Sequence, residues 1–130
     1  MADFGIKKKI YYHDTDCGGV VYYGNYLKYL EEARTEYLIS RGIELPKLAD
    51  SDIWFVVARV EIDYKAPARY QDELTVSARV EEARMATVKF FQEITRGDVL
   101  IARATTVLVC VGKDFRPMAV PKDVKLAIEK

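Results

Sequence analysis

One segment of the chain has the residue spacing of an α-helix, and the segments on both sides of it have the alternation of β-strands. From about Gly24 to Arg41, apolar residues recur three and four positions apart among charged residues. Gly42 follows as the expected end of that helix. A sheet built from the remaining segments must bury one face against the helix, which predicts an α+β fold with the helix in the concavity of the sheet.

The predicted helix carries a broad apolar face rather than a narrow stripe. Such a face is expected for a helix that a sheet largely wraps. Periodicity alone also allows an ordinary surface helix on a flat sheet. The apolar positions are Tyr26, Tyr29, Leu30, Ala33, Tyr37, Leu38 and Ile39.

Strand-like segments precede and follow the helix, and they predict an antiparallel sheet of about five strands. The first, Phe4 to His13, contains three lysines and resembles an edge strand. Arg96-Gly97-Asp98 is short enough to join the last two strands as a hairpin. A short connection passes through Pro46, and the tail from Pro121 to Lys130 has room for a short helix. The later strands are predicted at Trp54 to Tyr64, Leu74 to Glu82, about Ala86 to Thr95, and Val99 to Val111.

Size and charge favour a single domain without a polyanionic partner. The chain has 130 residues, of which 50 % are hydrophobic, so residues 1–130 can form one core. Twenty basic and twenty acidic side chains cancel, which removes the general electrostatic argument for a nucleic-acid or anionic-membrane partner.

The sequence also predicts a cytoplasmic protein. No segment approaches the roughly 20 apolar residues that span a bilayer, and Met1 to Lys9 lacks the apolar run of a signal peptide. Cys17 and Cys110 are too few for a disulfide framework, as expected in a reducing compartment.

The segment from Tyr12 to Tyr26 is the most informative about chemistry. It places two carboxylates, Asp14 and Asp16, and two glycines immediately before the predicted helix. A helix N-terminus presents unpaired backbone N–H groups and partial positive charge, which can polarise a carbonyl oxygen as negative charge develops on it. A carboxylate beside that point could attack the carbonyl or take a proton from water. Spacing alone equally allows both acids to cap a turn and favour the helix dipole.

This segment resembles the signature of the 4-hydroxybenzoyl-CoA thioesterase family, and most closely its Tol-Pal-associated acyl-CoA thioesterase branch. The pattern D-x-D-x-x-G-V-V-Y-x-x-N-Y is matched by Asp14 to Tyr26, and the E-x-A-R-x-E core of the helix by Glu32 to Glu36 with Glu31 beside it. Three later stretches are similar to the family's second and third strands and their proline-containing turn, so the resemblance covers most of the chain. They are Phe55 to Asp63, Tyr64 to Arg69 and Asp72 to Leu74.

The resemblance implies a hotdog fold, in which a long central helix is wrapped by an antiparallel sheet, assembled into dimers or tetramers. It implies hydrolysis of acyl-CoA thioesters without a metal or redox cofactor. The family's catalytic aspartate is the second acid of the motif, which is Asp16 here. Its backbone N–H donor to the thioester oxygen lies on the residue that matches Tyr23. The Tol-Pal branch commonly has His at that position, so Tyr here is a departure that bears on substrate choice.

Further residues of the motif are expected to contact the substrate. Tyr22 and Tyr23 are the candidates for lining an acyl pocket. Gly19 permits close backbone approach, and Val20 follows it in the same turn. The phosphates of CoA require basic side chains, and the sequence does not choose among Arg59, Arg69, Arg84, Lys89 and Arg103.

Other roles for the residues around Asp16 are weaker. Asp14 is expected to be structural, holding the turn. His13, the one histidine, is an alternative general base. Cys17 is expected to be a small packing residue rather than a nucleophile, because His13 is too near along the chain to form a Cys-His pair. These residues mix hard and soft ligands at no recognised spacing, so no metal site is predicted.

Two other functions remain as alternatives to hydrolysis. A hotdog hydratase or dehydratase acting on a thioester would need a histidine with an acid poised on the acyl chain, and His13 alone makes a poor candidate. A non-catalytic acyl-CoA-binding or scaffolding module would bind CoA esters and leave them intact. A product assay separates such a module from an enzyme.

Overall fold

Five strands and three α-helices make up residues 4–129, the part of the chain that the computed structural model describes. Residues 1–3 and 130, which the predicted single domain and tail include, lie outside the described residues. In residues 4–129 we find no helix long and apolar enough to cross a bilayer. The strands are β1 (Phe4–Lys9), β2 (Trp54–Tyr64), β3 (Glu73–Ala83), β4 (Thr87–Arg96) and β5 (Val99–Val111), and the helices are α1 (Asn25–Ser40), α2 (Leu45–Asp50) and α3 (Lys122–Ile128).

The strands form one antiparallel sheet in the order β1-β3-β4-β5-β2, with α1 packed on one face. The sheet and helix together confirm the α+β hotdog fold. Alternate residues of β3, β4 and β5 face the helix and are buried, as the period of two requires. The rings of Tyr37 on α1 and Phe90 on β4 meet edge to face, 5.6 Å apart between centroids. The core therefore lies between α1 and the middle strands.

Helix α1 begins and ends within one residue of its predicted limits. Gly42 has φ +77°, and its N–H donates to the carbonyl of Ile39 at 2.9 Å, which closes the helix as expected. The predicted burial of Ile39 is wrong, because its side chain is 52 % exposed. Two positions beyond Tyr37 correspond to about 200° around the helix, which places Ile39 away from the sheet. Arg34 is buried instead.

The strand predictions hold best in the middle of the sheet. Strands β2 and β5 have their predicted limits, and β3 and β4 differ from theirs by one residue at each end. Strand β1 is shorter than predicted, because the chain turns after Lys9 into a 3₁₀ helix at Tyr12–Asp14. Gly97, at φ +58°, allows the tight β4–β5 hairpin.

Helix α2 was not predicted. The connection through Pro46 is helical from Leu45 to Asp50, with the proline in the first turn, where its missing N–H costs nothing. The predicted tail helix is present as α3.

Candidate active site

A tight turn between β1 and α1 presents Asp16 to solvent. The backbone of Thr15 bridges that of Val21, and within this loop the Asp16 N–H donates to the Val20 carbonyl at 2.9 Å. Gly19, at φ +80°, occupies the left-handed conformation that closes the turn, and its N–H donates to the Asp16 carbonyl at 3.0 Å. Gly19 and Val20 therefore shape the turn that carries the carboxylate.

One oxygen of the Asp16 carboxylate is held and the other is open. The Gly18 N–H donates to Oδ1 of Asp16 at 2.8 Å, which fixes the side chain against its own turn. Within residues 4–129, Oδ2 accepts no hydrogen bond and no cation lies within ion-pair distance of the carboxylate. A carboxylate fixed in this way keeps a free lone pair for water or a carbonyl carbon.

Asp14 holds the turn from inside, in agreement with its predicted structural role. It is 7 % exposed, and its Oδ2 accepts the N–H of Tyr11 at 2.9 Å. Its backbone carbonyl accepts the Tyr22 N–H at 3.0 Å and the side-chain amide of Asn25 at 2.9 Å. Asn25 was not singled out from the sequence, although it is the asparagine of the recognised motif. Together these bonds tie the turn to the start of α1.

The start of α1 offers unpaired N–H groups. The N–H groups of Asn25 and Tyr26 donate to the carbonyls of Tyr22 and Tyr23. Those of Tyr23 and Gly24 have no acceptor within residues 4–129. A side-chain Cβ at Gly24 would lie 2.8 Å from Cε2 of Tyr22, so the Tyr22 ring packs directly against this glycine and would have to move to admit a side chain. The helix N-terminus is therefore able to bind an oxyanion.

Tyrosine rings surround the helix N-terminus. Tyr22 and Tyr23 are exposed, with ring centroids 4.9 Å apart, and Tyr23 raises the pKa of Tyr22 above its ordinary value. Tyr64, at the end of β2, lies 6.4 Å from Tyr23 between ring centroids and donates its hydroxyl to the Tyr23 carbonyl at 3.4 Å. Sequence reasoning missed Tyr64, because only the folded sheet brings the end of β2 to this point.

Tyr29 of α1 lies beneath the turn with its hydroxyl buried and without a hydrogen-bond partner within residues 4–129. Burial, and then the nearby Asp14 carboxylate, raise the pKa of Tyr29 above its ordinary value of 10.0.

Replacing Tyr29 by phenylalanine is expected to leave the free energy of unfolding unchanged or to raise it by up to about 1 kcal/mol, because an unsatisfied hydroxyl is removed. In the parent, stability falls as pH rises above 10.0, since the folded-state pKa exceeds the unfolded one and unfolding releases the proton. Urea unfolding at pH 7 gives the effect of the substitution, and urea unfolding above pH 10 gives the loss of stability in alkali. The phenylalanine variant should lose less stability in alkali than the parent. Equal losses would contradict a raised Tyr29 pKa as a cause of the alkaline loss.

The remaining candidates near Asp16 are less suited to catalysis. The His13 side chain is 82 % exposed, and its Nδ1 lies 3.8 Å from Oδ1 of Asp14. Cys17 is exposed, so its prediction as a packing residue is wrong; it lies on the outside of the turn. Residues 4–129 contain no group of three or more His, Cys, Asp or Glu side chains arranged to hold a metal ion.

The structure distinguishes among the five basic residues suggested for CoA phosphates. Arg59 and Arg84 pair with Glu61 and Glu82. Lys89 and Arg103 also lie within ion-pair distance of glutamates, at 3.8 and 3.4 Å. Arg69 alone among the five has no carboxylate partner within residues 4–129. Its backbone bridges that of Val20 in the Asp16 turn.

Comparisons with known proteins agree on one family. The sequence model of the thioesterase superfamily matches residues 18–105. An acyl-CoA thioesterase, YbgC, from Haemophilus influenzae is 40 % identical over 127 residues, which cover 95 % of this chain and 93 % of that protein.

Solved structures give the same result. A 1,4-dihydroxy-2-naphthoyl-CoA thioesterase from Synechocystis is 28 % identical with a TM-score of 0.91, covering 99 % of this chain and 97 % of that one. A thioesterase from Thermus thermophilus, solved with coenzyme A and Zn, is 28 % identical with a TM-score of 0.86, covering 99 % and 95 % of the two chains.

Proposed function

The chain belongs to the thioesterase superfamily as a thioester hydrolase, and we propose that it cleaves acyl-CoA thioesters with Asp16 as its catalytic carboxylate. The observation that carries this proposal is the open Oδ2 of Asp16 on a turn that leads directly into a helix with unpaired N–H groups. The expected products are the free acid and CoA.

In the proposed reaction the thioester oxygen accepts the backbone N–H of Tyr23. As the carbonyl carbon becomes tetrahedral, negative charge on that oxygen is stabilised by this donor and by the positive end of α1. Asp16 either takes a proton from the attacking water or attacks the carbonyl carbon itself. Either way a C–O bond forms, the C–S bond breaks, and the departing CoA thiolate acquires a proton.

The acyl group is proposed to lie against Tyr22 and Tyr23, with Tyr64 as an additional wall. Aromatic side chains at half exposure present large apolar surface that a substrate can cover. Gly19 and Val20 leave the backbone of the turn open to the thioester. Both aromatic and aliphatic acyl groups can pack against these rings, so an assay with a panel of substrates is needed to distinguish them.

A panel of short, long and aromatic acyl-CoAs tests the proposal, with CoA release followed by a thiol reagent. Turnover of any ester supports hydrolysis, and the relative kcat/KM values give the acyl class. Esters that bind, as shown by a thermal shift, but persist for hours would instead support the non-catalytic binding module.

We further propose that the chain forms homodimers through β2, with a tetramer as the larger assembly. This eleven-residue strand is an edge of the sheet, and Val57, Val60 and Tyr64 on it are exposed. Long apolar edges readily pair with another strand, and two copies of one edge pair symmetrically as a C₂ dimer.

Substituting lysine at Val57 is expected to convert the dimer into monomer, because a charged residue on an edge strand opposes its pairing with another strand. Light scattering after size exclusion measures the mass. Val99→Lys is the matched control, since Val99 is also exposed but lies outside β2. A parent that is monomeric, or a Val57→Lys variant with unchanged mass, would contradict dimerisation through this edge.

We place the enzyme in the cytoplasm. Cys17 is exposed and Cys110 is buried, and both are free thiols. Burial raises the pKa of the Cys110 thiol, which keeps it unreactive. Exposed free thiols stay reduced in a reducing compartment such as the cytoplasm.

A further inference from the structure

A second aromatic cluster lies at the surface, on segments that border the Asp16 turn. The rings of Tyr12 and Tyr70 meet at 5.7 Å between centroids with an interplanar angle of 73°. Tyr12 is 77 % exposed and Tyr70 is 50 % exposed, so the pair contributes little to the core. Exposed aromatic faces of this kind are available to stack on a planar ligand.

Backbone hydrogen bonds hold the two tyrosines together. The N–H of Ile10 donates to the Asp72 carbonyl at 2.8 Å, and the N–H of Gln71 donates to the Ile10 carbonyl at 2.9 Å. Gln71 has φ +73°, a left-handed conformation that residues other than glycine seldom adopt. The turn that carries Tyr70 is thus fixed against the segment that leads into Tyr12.

Two routes connect this pair to the proposed catalytic carboxylate. Along the chain, Tyr12 is only four residues from Asp16, which limits the separation of their Cα atoms to about 14 Å. Across the fold, Tyr70 follows Arg69, whose backbone bridges Val20 in the Asp16 turn. The pair therefore lies within reach of a group that a flexible arm joins to the thioester.

Two basic residues without a carboxylate partner in the described part of the chain lie close in sequence to the aromatic pair, one near each tyrosine. The Lys9 ammonium lies over the ring of Tyr11, 6.0 Å from its centroid, and Arg69 precedes Tyr70. Neither has a carboxylate within ion-pair distance among residues 4–129, whereas Lys8 pairs with Glu32 at 3.4 Å. Phosphate groups are the natural partners of such free cations.

We propose that Tyr70 stacks on the adenine of the acyl-CoA substrate, that Tyr12 meets the same base edge to face, and that Lys9 and Arg69 bind its phosphates. This inference rests on the proposed function, because it assigns the nucleotide end of the same substrate. If the proposal holds, Tyr12 and Tyr70 contribute to binding of the nucleotide and not to the chemical step.

The test compares an acyl-CoA with the acyl-pantetheine of the same acyl group, which lacks the nucleotide. Tyr70→Ala is expected to raise KM for the acyl-CoA about fivefold or more, since loss of one base-stacking contact is of that order, with kcat unchanged. KM for the acyl-pantetheine should stay as in the parent. Tyr70→Phe, which keeps the ring, should behave like the parent with both substrates. Tyr12→Ala repeats the test at a more exposed position.

Phe115→Ala is the matched control for removal of an exposed aromatic ring. Phe115 follows the Val111 end of β5, whereas the site lies at the Ala102 end, which pairs with Tyr64. These ends are about 30 Å apart. The proposal is overturned if Tyr70→Ala and Tyr12→Ala leave both KM values unchanged, or raise them equally for the two substrates.

Direct binding separates this proposal from the proposed function. Calorimetry with 3′,5′-ADP, which has the adenine and phosphates but no thioester, should show binding by the parent and at least about fivefold weaker binding by Tyr70→Ala. If no ester is cleaved but 3′,5′-ADP binds in this way, the hydrolase mechanism fails and the nucleotide site stands. If esters are cleaved and 3′,5′-ADP does not bind, the nucleotide site fails alone.

Discussion

Asp16→Asn is expected to lower kcat for acyl-CoA hydrolysis by at least about a hundredfold, which is the lower range for loss of a general base. The amide oxygen of asparagine can still accept the Gly18 N–H, so the turn should keep its shape while the free carboxylate oxygen is lost. Steady-state CoA release by the parent and the variant gives the ratio, and KM should change little because the acyl and nucleotide contacts remain.

Asp14→Asn is the comparison that separates catalysis from folding. Asp14 is buried and accepts the Tyr11 N–H, so its replacement should lower the free energy of unfolding. The kcat of the folded Asp14→Asn variant should stay close to that of the parent. Thermal unfolding of both variants therefore accompanies the assay. An Asp16→Asn variant that is folded and as active as the parent would remove Asp16 from the mechanism. If activity were lost with Asp14→Asn alone, Asp14, the first acid of the motif, would be the catalytic carboxylate instead of Asp16.

The elements that could be predicted from sequence are those whose periodicity reflects a single buried face. Helix α1 and strands β2 and β5 have this property, because the sheet and helix each bury one side. In β2 the apolar alternation changes phase after Val57, and the structure explains the change by a bulge between Val57 and Arg59. The bulge keeps Val60 and Ile62 on the helix-facing side.

The features that escaped prediction depend on contacts between distant segments. Helix α2 is a short helix with no fully buried residue, so it leaves little apolar periodicity in the sequence. Tyr64 and Tyr70 reach the site only because β2 and the following turn are folded back against the Asp16 turn. The motif located Asp16, but the free oxygen of its carboxylate is a property of the folded turn.

A buried polar cluster beneath α1 escaped prediction for the same reason. Gln92 on β4 is fully buried, and its side-chain amide donates to the carbonyls of Leu30 at 2.9 Å and Ser77 at 3.1 Å. Its oxygen accepts Nη1 of Arg34 at 3.1 Å. Burial lowers the pKa of Arg34, while Glu31 acts in the opposite direction. Gln92 therefore links the helix to the sheet, and its hydrogen bond stabilises the buried Arg34 guanidinium.

Gln92→Leu is expected to lower the free energy of unfolding by about 3 kcal/mol, because it leaves the buried Arg34 guanidinium without its partner and removes two further hydrogen bonds to backbone carbonyls. For a domain of this size the midpoint of thermal unfolding should fall by about 10 °C. Urea unfolding measures the loss, provided that the dependence on denaturant is unchanged. The double variant Arg34→Leu/Gln92→Leu should be more stable than Gln92→Leu alone, since the buried charge is removed as well.

Thr106→Val is the matched control for this pair. Thr106 is buried on β5, and its hydroxyl has no partner within residues 4–129, so the change removes a polar atom without breaking a hydrogen bond. It should leave stability unchanged or raise it slightly. If Gln92→Leu proves as stable as Thr106→Val, the Arg34 contact contributes nothing. If the double variant is no more stable than Gln92→Leu alone, the buried charge is not what Gln92 stabilises.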